Sequence, residues 1–227
     1  MAKKTESTLI NMVVALLVIT AVAGGVLGLV YGMTKDAIAE VDQKKNEAAI
    51  QAVLPLEGEI IYEADTLSYN YEGVETTFPC TIAKDANGIL QGAAVKTSEG
   101  GFGGKIDMMV GITADGIIKG VSVLSHSETP GLGANMDKVL VGQFADKKPG
   151  DNFSLEVTKT KEKGKVDAIT AATITSRAFT KAVDKAYQAF EANKAQYMNN
   201  APAEEIASEA EEIEEVTETM EGGQSNE

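Results

Sequence analysis

Three glycine-rich or polar clusters stand out in the chain, and each offers a different piece of chemistry. Gly100-Gly101-Phe102-Gly103-Gly104 and His126-Ser127-Glu128-Thr129-Pro130-Gly131-Leu132-Gly133 interrupt a pattern of strands. Their glycines let the backbone approach a flat ligand closely, with amides free to donate hydrogen bonds. Tight turns would use the same residues. The third cluster, Asp167-Ala168-Ile169-Thr170-Ala171-Ala172-Thr173, stands just before a helical pattern that begins near Ile174 to Ser176. Free N–H groups at a helix start, together with the macrodipole, favour an anion, so a phosphate carried on the Thr173 hydroxyl would sit in a stabilising field. Thr173, Thr175 and Ser176 also suit the plainer task of capping the helix. Spacing alone leaves both readings open. His126 invites a proton-donor role, and a polar residue ending a strand fits it equally. Cys80 reads as a small apolar residue in a strand, and Met108 and Met109 as apolar filler.

Composition narrows the chemistry further. Cys80 is the single cysteine and His126 the single histidine of the 227 residues. No intrachain disulfide, thiolate zinc site, iron–sulfur cluster or haem attachment can be built from them. Electron transfer, if the chain performs it, needs an organic cofactor. The formal charge of -14 is concentrated at one end, because residues 201–227 hold ten carboxylates and no Lys or Arg. There is no basic patch to neutralise phosphates and there are few aromatics to stack on bases, so nucleic acid is not an expected partner.

The elements that must position these clusters begin with an apolar segment. No charged residue occurs from Ser7 to Thr34, and Leu9 to Tyr31 would span about 35 Å as a helix at ~1.5 Å per residue, enough to cross a bilayer. Lys3 and Lys4 with Ala21-Val22-Ala23 would also serve a cleaved signal peptide, but the apolar run continues to Tyr31, beyond where such a peptide turns polar. Lys35, Lys44 and Lys45 beyond the segment balance the basic start, so the positive-inside count is a tie. A short tail ahead of one long domain favours an N-terminus inside and a domain outside. Asp36 to Val53 then places Ile38, Val41, Ala48, Ala49 and Ala52 at near-helical spacing and stops before Pro55, which predicts an amphipathic stalk packed on the domain.

Gly88-Ile89-Leu90-Gln91-Gly92-Ala93-Ala94-Val95 is echoed 28 residues later by Gly116-Ile117-Ile118-Lys119-Gly120-Val121-Ser122-Val123. Asn87-Gly88 and Asp115-Gly116 suit two-residue hairpin turns after the apolar segments Thr77–Ala83 and Ile106–Thr113, so two successive β-hairpins are predicted. Phe153 to Lys159 alternates as a further strand. Ile174 to Tyr197 sets Phe179, Val183, Ala186, Phe190 and Tyr197 on one face of a long helix. The expected fold is α+β, an antiparallel hairpin-rich sheet flanked by helices, plus one N-terminal transmembrane helix. Three regions follow: residues 1–34 with the membrane helix over about 9–31, a domain over 35–200, and an acidic tail over 201–227 that reads as disordered.

Asp167-x-x-Thr170-Ala171-Ala172-Thr173 resembles the D-x-x-[ST]-G-A-T acceptor at which a flavin transferase esterifies FMN onto the last Thr. In the same order upstream, Gly101-Phe102-Gly103-Gly104, Met109-Val110-Gly111-Ile112 and His126-x-Glu128-Thr129-Pro130-Gly131-Leu132-Gly133 resemble the signatures of the FMN-binding domain in the G subunit of the Rnf electron-transport complex. The likeness covers roughly residues 5–200, including the anchor and Val53-Leu54-Pro55. Ala171 departs from it, standing where the acceptor usually has Gly.

The resemblance implies FMN joined through its phosphate to Thr173, with Thr170 and Ala172 beside it. The ring would lie against Glu128, Thr129, Gly131, Leu132 and Gly133 on one side and Gly103 and Gly104 on the other. It implies a flavin transferase that reads Asp167, Thr170 and Thr173, and a place outside the cytoplasm on the inner membrane, held there by lipid around one helix. It implies other subunits of a membrane complex that links ferredoxin and NAD to sodium or proton transport, because this chain has no nicotinamide fingerprint and no iron–sulfur ligands. The C subunit of the sodium-pumping NADH:quinone reductase shares the acceptor and the anchor. An extracellular flavin reductase is a second alternative within the same chemistry. An exported, membrane-anchored binding module without flavin is the alternative from another class.

Overall fold

The computed structural model describes residues 9–151, 153–160 and 162–198. The readings of Lys3 and Lys4 and of the acidic tail lie outside the described residues. The chain divides into two compact units, Met1–Glu47 and Ala48–Glu227.

Helix α1 (Leu9–Val53) is continuous. No proline occurs before Pro55, and Lys35 to Ala52 is rich in Ala, Glu, Lys and Gln, so nothing breaks the helix where the apolar segment ends. Its apolar part is long enough to cross a membrane, and its Leu, Ile and Val side chains are exposed throughout. Ile38 and Val41 are exposed as well. Of this helix only Ala49 and Val53 are buried.

The second unit is built on a five-stranded antiparallel meander, β1 (Ile60–Tyr71), β2 (Val74–Asp85), β3 (Leu90–Gly100), β4 (Lys105–Thr113) and β5 (Ile118–Ser125), each strand paired with its sequence neighbour. The two expected hairpins are present, with a different turn. Gly88 donates to the Asp85 carbonyl and Gly116 to the Thr113 carbonyl, and only the glycines take positive φ, 80° and 77°. These are three-residue loops, a turn followed by one left-handed glycine, so Asn87 and Asp115 never need the left-handed conformation. Strand β1 is not among the elements the sequence pattern predicts. Its side chains are mostly exposed, and its turn is Glu72-Gly73, with φ of 52° and 86°.

The two faces of the sheet are covered differently. On one, Ile106, Met108, Val110 and Ile112 of β4 and Val95 of β3 meet Phe179, Val183, Ala186 and Phe190 of α4 (Thr173–Met198), forming the main core. The predicted helical face is thus the buried one. Three hydroxyls tie β1 to α4: Tyr69 to Gln188 at 2.9 Å, Tyr71 to Asp184 at 2.8 Å, and Tyr197 to Asp65 at 2.6 Å. On the other face Val53 and Leu54 pack with Ala83, Ala94 and Met109. The chain reaches the sheet there because Gly111 has no side chain, since a Cβ at that position would overlap the Val53 carbonyl. Cys80 is buried in the core, and burial pushes its thiol up to about 12, which keeps it protonated and inert.

Between β5 and α4 the chain is irregular. Short helices α2 (Met136–Val139) and α3 (Val141–Phe144) bring Met136, Leu140 and Phe144 into the core. The strand expected over Phe153 to Lys159 shrinks to β6 (Val157–Thr158), paired in parallel with β7 (Val166–Asp167). Phe153 is used for packing against Phe144, and its carbonyl accepts from Gly150, so its backbone serves a turn.

Candidate functional site

The Asp167–Thr173 segment contains a built turn. Ala172 N–H donates to the Ile169 carbonyl at 3.0 Å, closing Ile169–Ala172 as a β-turn whose third residue, Ala171, has φ of 61°. This is the position where the acceptor motif carries Gly, and the left-handed conformation supplies the reason, since Gly takes it without the steric cost that a Cβ adds. The turn is clamped at both ends. Upstream, the Gln143 side-chain amide pairs with the Asp167 peptide, accepting its N–H at 2.7 Å and donating to its carbonyl at 3.1 Å. Downstream, the Ser176 hydroxyl accepts the Ile169 N–H at 2.9 Å and donates to the Ala172 carbonyl at 3.0 Å.

Helix α4 starts at Thr173, and its first repeating bond runs from Ser176 N–H to the Ala172 carbonyl. The N–H groups of Thr173, Ile174 and Thr175 therefore have no acceptor within the helix, and they point where the macrodipole favours negative charge. The capping reading of Thr175 and Ser176 is replaced by these contacts: Ser176 holds the turn and Thr175 bonds Glu128. The half-buried Thr173 hydroxyl makes no hydrogen bond to another described residue.

Thr173 opens on a cleft of about 360 Å³ lined by Phe102, Glu128, Thr129, Leu132, Gly133 and the Ala171–Thr175 segment. Its walls are apolar side chains left in the open, Phe102 at 71% exposure, Ile174 at 56% and Leu132 at 42%. That arrangement suits a flat aromatic ligand with an anionic arm. Glu128 forms the floor. It is 6% exposed, with Oε1 accepting the Gly103 N–H at 2.9 Å and Oε2 the Thr175 hydroxyl at 2.6 Å.

Of the residues singled out in the sequence, Glu128, Thr129, Leu132, Gly133, Ala172 and Thr173 line this cleft. Gly103 reaches it through Glu128, and Gly104 packs over Ser127. Gly131 turns the chain at φ 79° and gives its carbonyl to the Asn135 amide. Thr170 is exposed on the acceptor turn, and Asp167 sits in β7. His126 directs its Nδ1 to the Glu128 N–H at 3.2 Å and does not line the cleft. Phe102, Ile174 and Thr175 also line the cleft, and the sequence motifs do not single them out as contacts; the Gln143 clasp has no sequence signal at all.

The clamped turn, the helix start and the apolar cleft all fall within residues 101–188, the stretch matched by the FMN-binding domain family. The G subunit of the ion-translocating oxidoreductase complex of Aliivibrio fischeri strain MJ11 is 34% identical over 78% of this chain and 86% of its own length. The G subunit of the Na(+)-translocating ferredoxin:NAD(+) oxidoreductase complex of Acetobacterium woodii is 34% identical over 78% of this chain and 88% of its own. Among solved structures, the C subunit of the Na(+)-translocating NADH-quinone reductase of Parabacteroides distasonis aligns at TM-score 0.48 and 19% identity, covering 70% of this chain and 94% of that one. The chain belongs to the family of G subunits of ion-translocating oxidoreductase complexes.

Proposed function

We propose that this chain is the electron-relay subunit of a membrane-bound, ion-translocating ferredoxin:NAD-type oxidoreductase, carrying FMN as a phosphoester on Thr173. The observation that carries the reading is the Thr173 hydroxyl at the start of α4, without a hydrogen-bond partner among the described residues and opening on an apolar cleft. The N–H groups of Thr173, Ile174 and Thr175 would hold the phosphate, and Phe102, Leu132 and Ile174 would enclose the ring. FMN supplies reversible electron uptake when bound. The chain supplies its placement. Residues 1–34 anchor the protein in the cytoplasmic membrane, residues 35–200 form the flavin domain on the extracytoplasmic side, and residues 201–227 are an acidic extension. Covalent attachment suits that side, where no FMN pool replaces a cofactor that dissociates. Electrons arrive from and leave to other subunits, so the chain has no complete activity alone.

The test is co-expression of the full chain with a flavin transferase, a denaturing gel viewed for flavin fluorescence, and peptide mass spectrometry. A fluorescent band that is lost in Thr173→Val is expected. An unmodified Thr173 peptide beside an active transferase would overturn the reading and favour a binding module without flavin. Asp167→Ala is expected to reduce loading through lost transferase recognition, and unchanged loading would remove Asp167 from that role.

A further inference from the structure

Glu128 occupies a place that neither flavin binding nor folding alone explains. It lines the cleft, yet both carboxylate oxygens are already engaged, Oε1 by Gly103 and Oε2 by Thr175. Both act as acceptors, the pattern of a carboxylate rather than of a carboxylic acid. Among the described residues no Lys or Arg forms an ion pair with it. The oxygens cannot swing away either, because a Cβ at Gly101 would overlap Oε1 and one at Gly133 would overlap Oε2, so the backbone is packed directly on the group. The result is a fixed, buried negative charge in the cleft floor, stabilised by one amide, one hydroxyl and the α4 N-terminus.

We propose that Glu128 is a potential-setting residue: it holds an anion under the flavin and makes the flavin harder to reduce. This rests on the reading of Thr173-linked FMN given above. Uptake of two electrons and one proton turns the neutral oxidised ring into one with a single negative charge, the proton coming from water. A fixed anion in a poorly solvated wall opposes that added charge far more than it would in water. The Thr175 hydroxyl and the Gly103 amide moderate the effect by spreading the carboxylate charge. Glu128 thus acts by its charge, and its two hydrogen bonds keep it from turning toward the ring as a ligand or proton donor.

The experiment uses the full chain, co-expressed with transferase and purified in detergent. Loading is read by gel fluorescence, and the midpoint potential by titration with dithionite against indicator dyes. Glu128→Gln keeps the shape and removes the charge, and its midpoint is expected to be more positive than the wild type at equal loading. Thr175→Val breaks the same clasp but keeps the charge, and is expected to shift the midpoint the other way or leave it in place. A loaded Glu128→Gln with the wild-type potential overturns the proposal, as does a positive shift shared equally by both variants, which would mean a purely structural clasp. Where Glu128→Gln does not fold, a positive shift in Thr175→Val alone is sufficient to overturn it. A wild-type chain without flavin removes the Thr173 reading and this proposal with it, a failure distinguishable on the gel before any potential is measured.

Discussion

Residues 60–125 and residues 126–172 belong to one compact unit and are held by different means. The first stretch is a meander in which each strand is bonded to its neighbour in sequence, with aliphatic side chains filling one face. In the second, the only ladder among the described residues is the two-residue pair β6–β7. Order there comes from individual side chains: Gln143 on Asp167, Ser176 on Ile169 and Ala172, Asn135 on Gly131, Glu128 on Gly103 and Thr175. A lost bond in a ladder is backed by its neighbours, whereas a lost clasp frees a segment. Six of the ten residues that line the cleft lie in the second stretch, so the geometry of the site depends on few contacts while the stability of the unit depends on many.

The contrast is tested most severely by Phe190→Ala, which empties a fully buried position of the framework. A loss of about 3–5 kcal/mol in urea unfolding is expected, with the whole unit melting as one transition. Gln143→Ala should act on the other stretch. It leaves the Asp167 N–H and C=O unpaired, worth about 1–3 kcal/mol locally, and should raise amide exchange at Asp167 and slow FMN loading while the global melt moves little. A uniform drop in protection across the sheet would show that the two stretches are not separable. Ala171→Gly should raise the melting temperature, since relief of a left-handed alanine is worth about 1 kcal/mol, less the added freedom of the unfolded chain.

The smallest effect concerns the part-buried tie between Tyr197 and Asp65. The donated hydroxyl holds the Asp65 carboxyl below its usual range. A lowered folded-state value stabilises above the ordinary carboxylate range, and that stability is lost as pH falls through the lowered value. Tyr197→Phe should therefore be slightly less stable at neutral pH, and melting curves taken from about pH 6 down to about pH 2 should converge. A gap that persists in acid would assign the effect to packing.

The same division governs what the sequence reveals. Strands β2 to β5 and α4 are legible because Asn87-Gly88 and Asp115-Gly116 punctuate apolar segments and because Phe179, Val183, Ala186 and Phe190 recur at helical spacing. Strand β1 escapes because its exposed first half carries no alternation to detect. The Phe153 to Lys159 alternation misleads because Phe153 points into the core from a turn. In the site, Thr173 and the Glu128 to Gly133 segment stand out by motif. The left-handed conformation of Ala171 leaves no trace in its own residue type, and Gln143 acts from 24 residues away through an ordinary amide. Local pattern reports on ladders and helical faces, and it is silent about a single side chain that reaches across the fold.

Because every strand of the meander pairs with the one made just before it, the sheet can be laid down in the order of synthesis, with no strand waiting for a distant partner. Helix α4 comes last among the described elements, and it brings both the second half of the core and, at its first residue, the Thr173 hydroxyl. A chain truncated before α4 would lack the docked helix and, with it, the helix start at Thr173. A cofactor fixed to Thr173 would then mark only those molecules in which α4 had been made and had closed over the sheet.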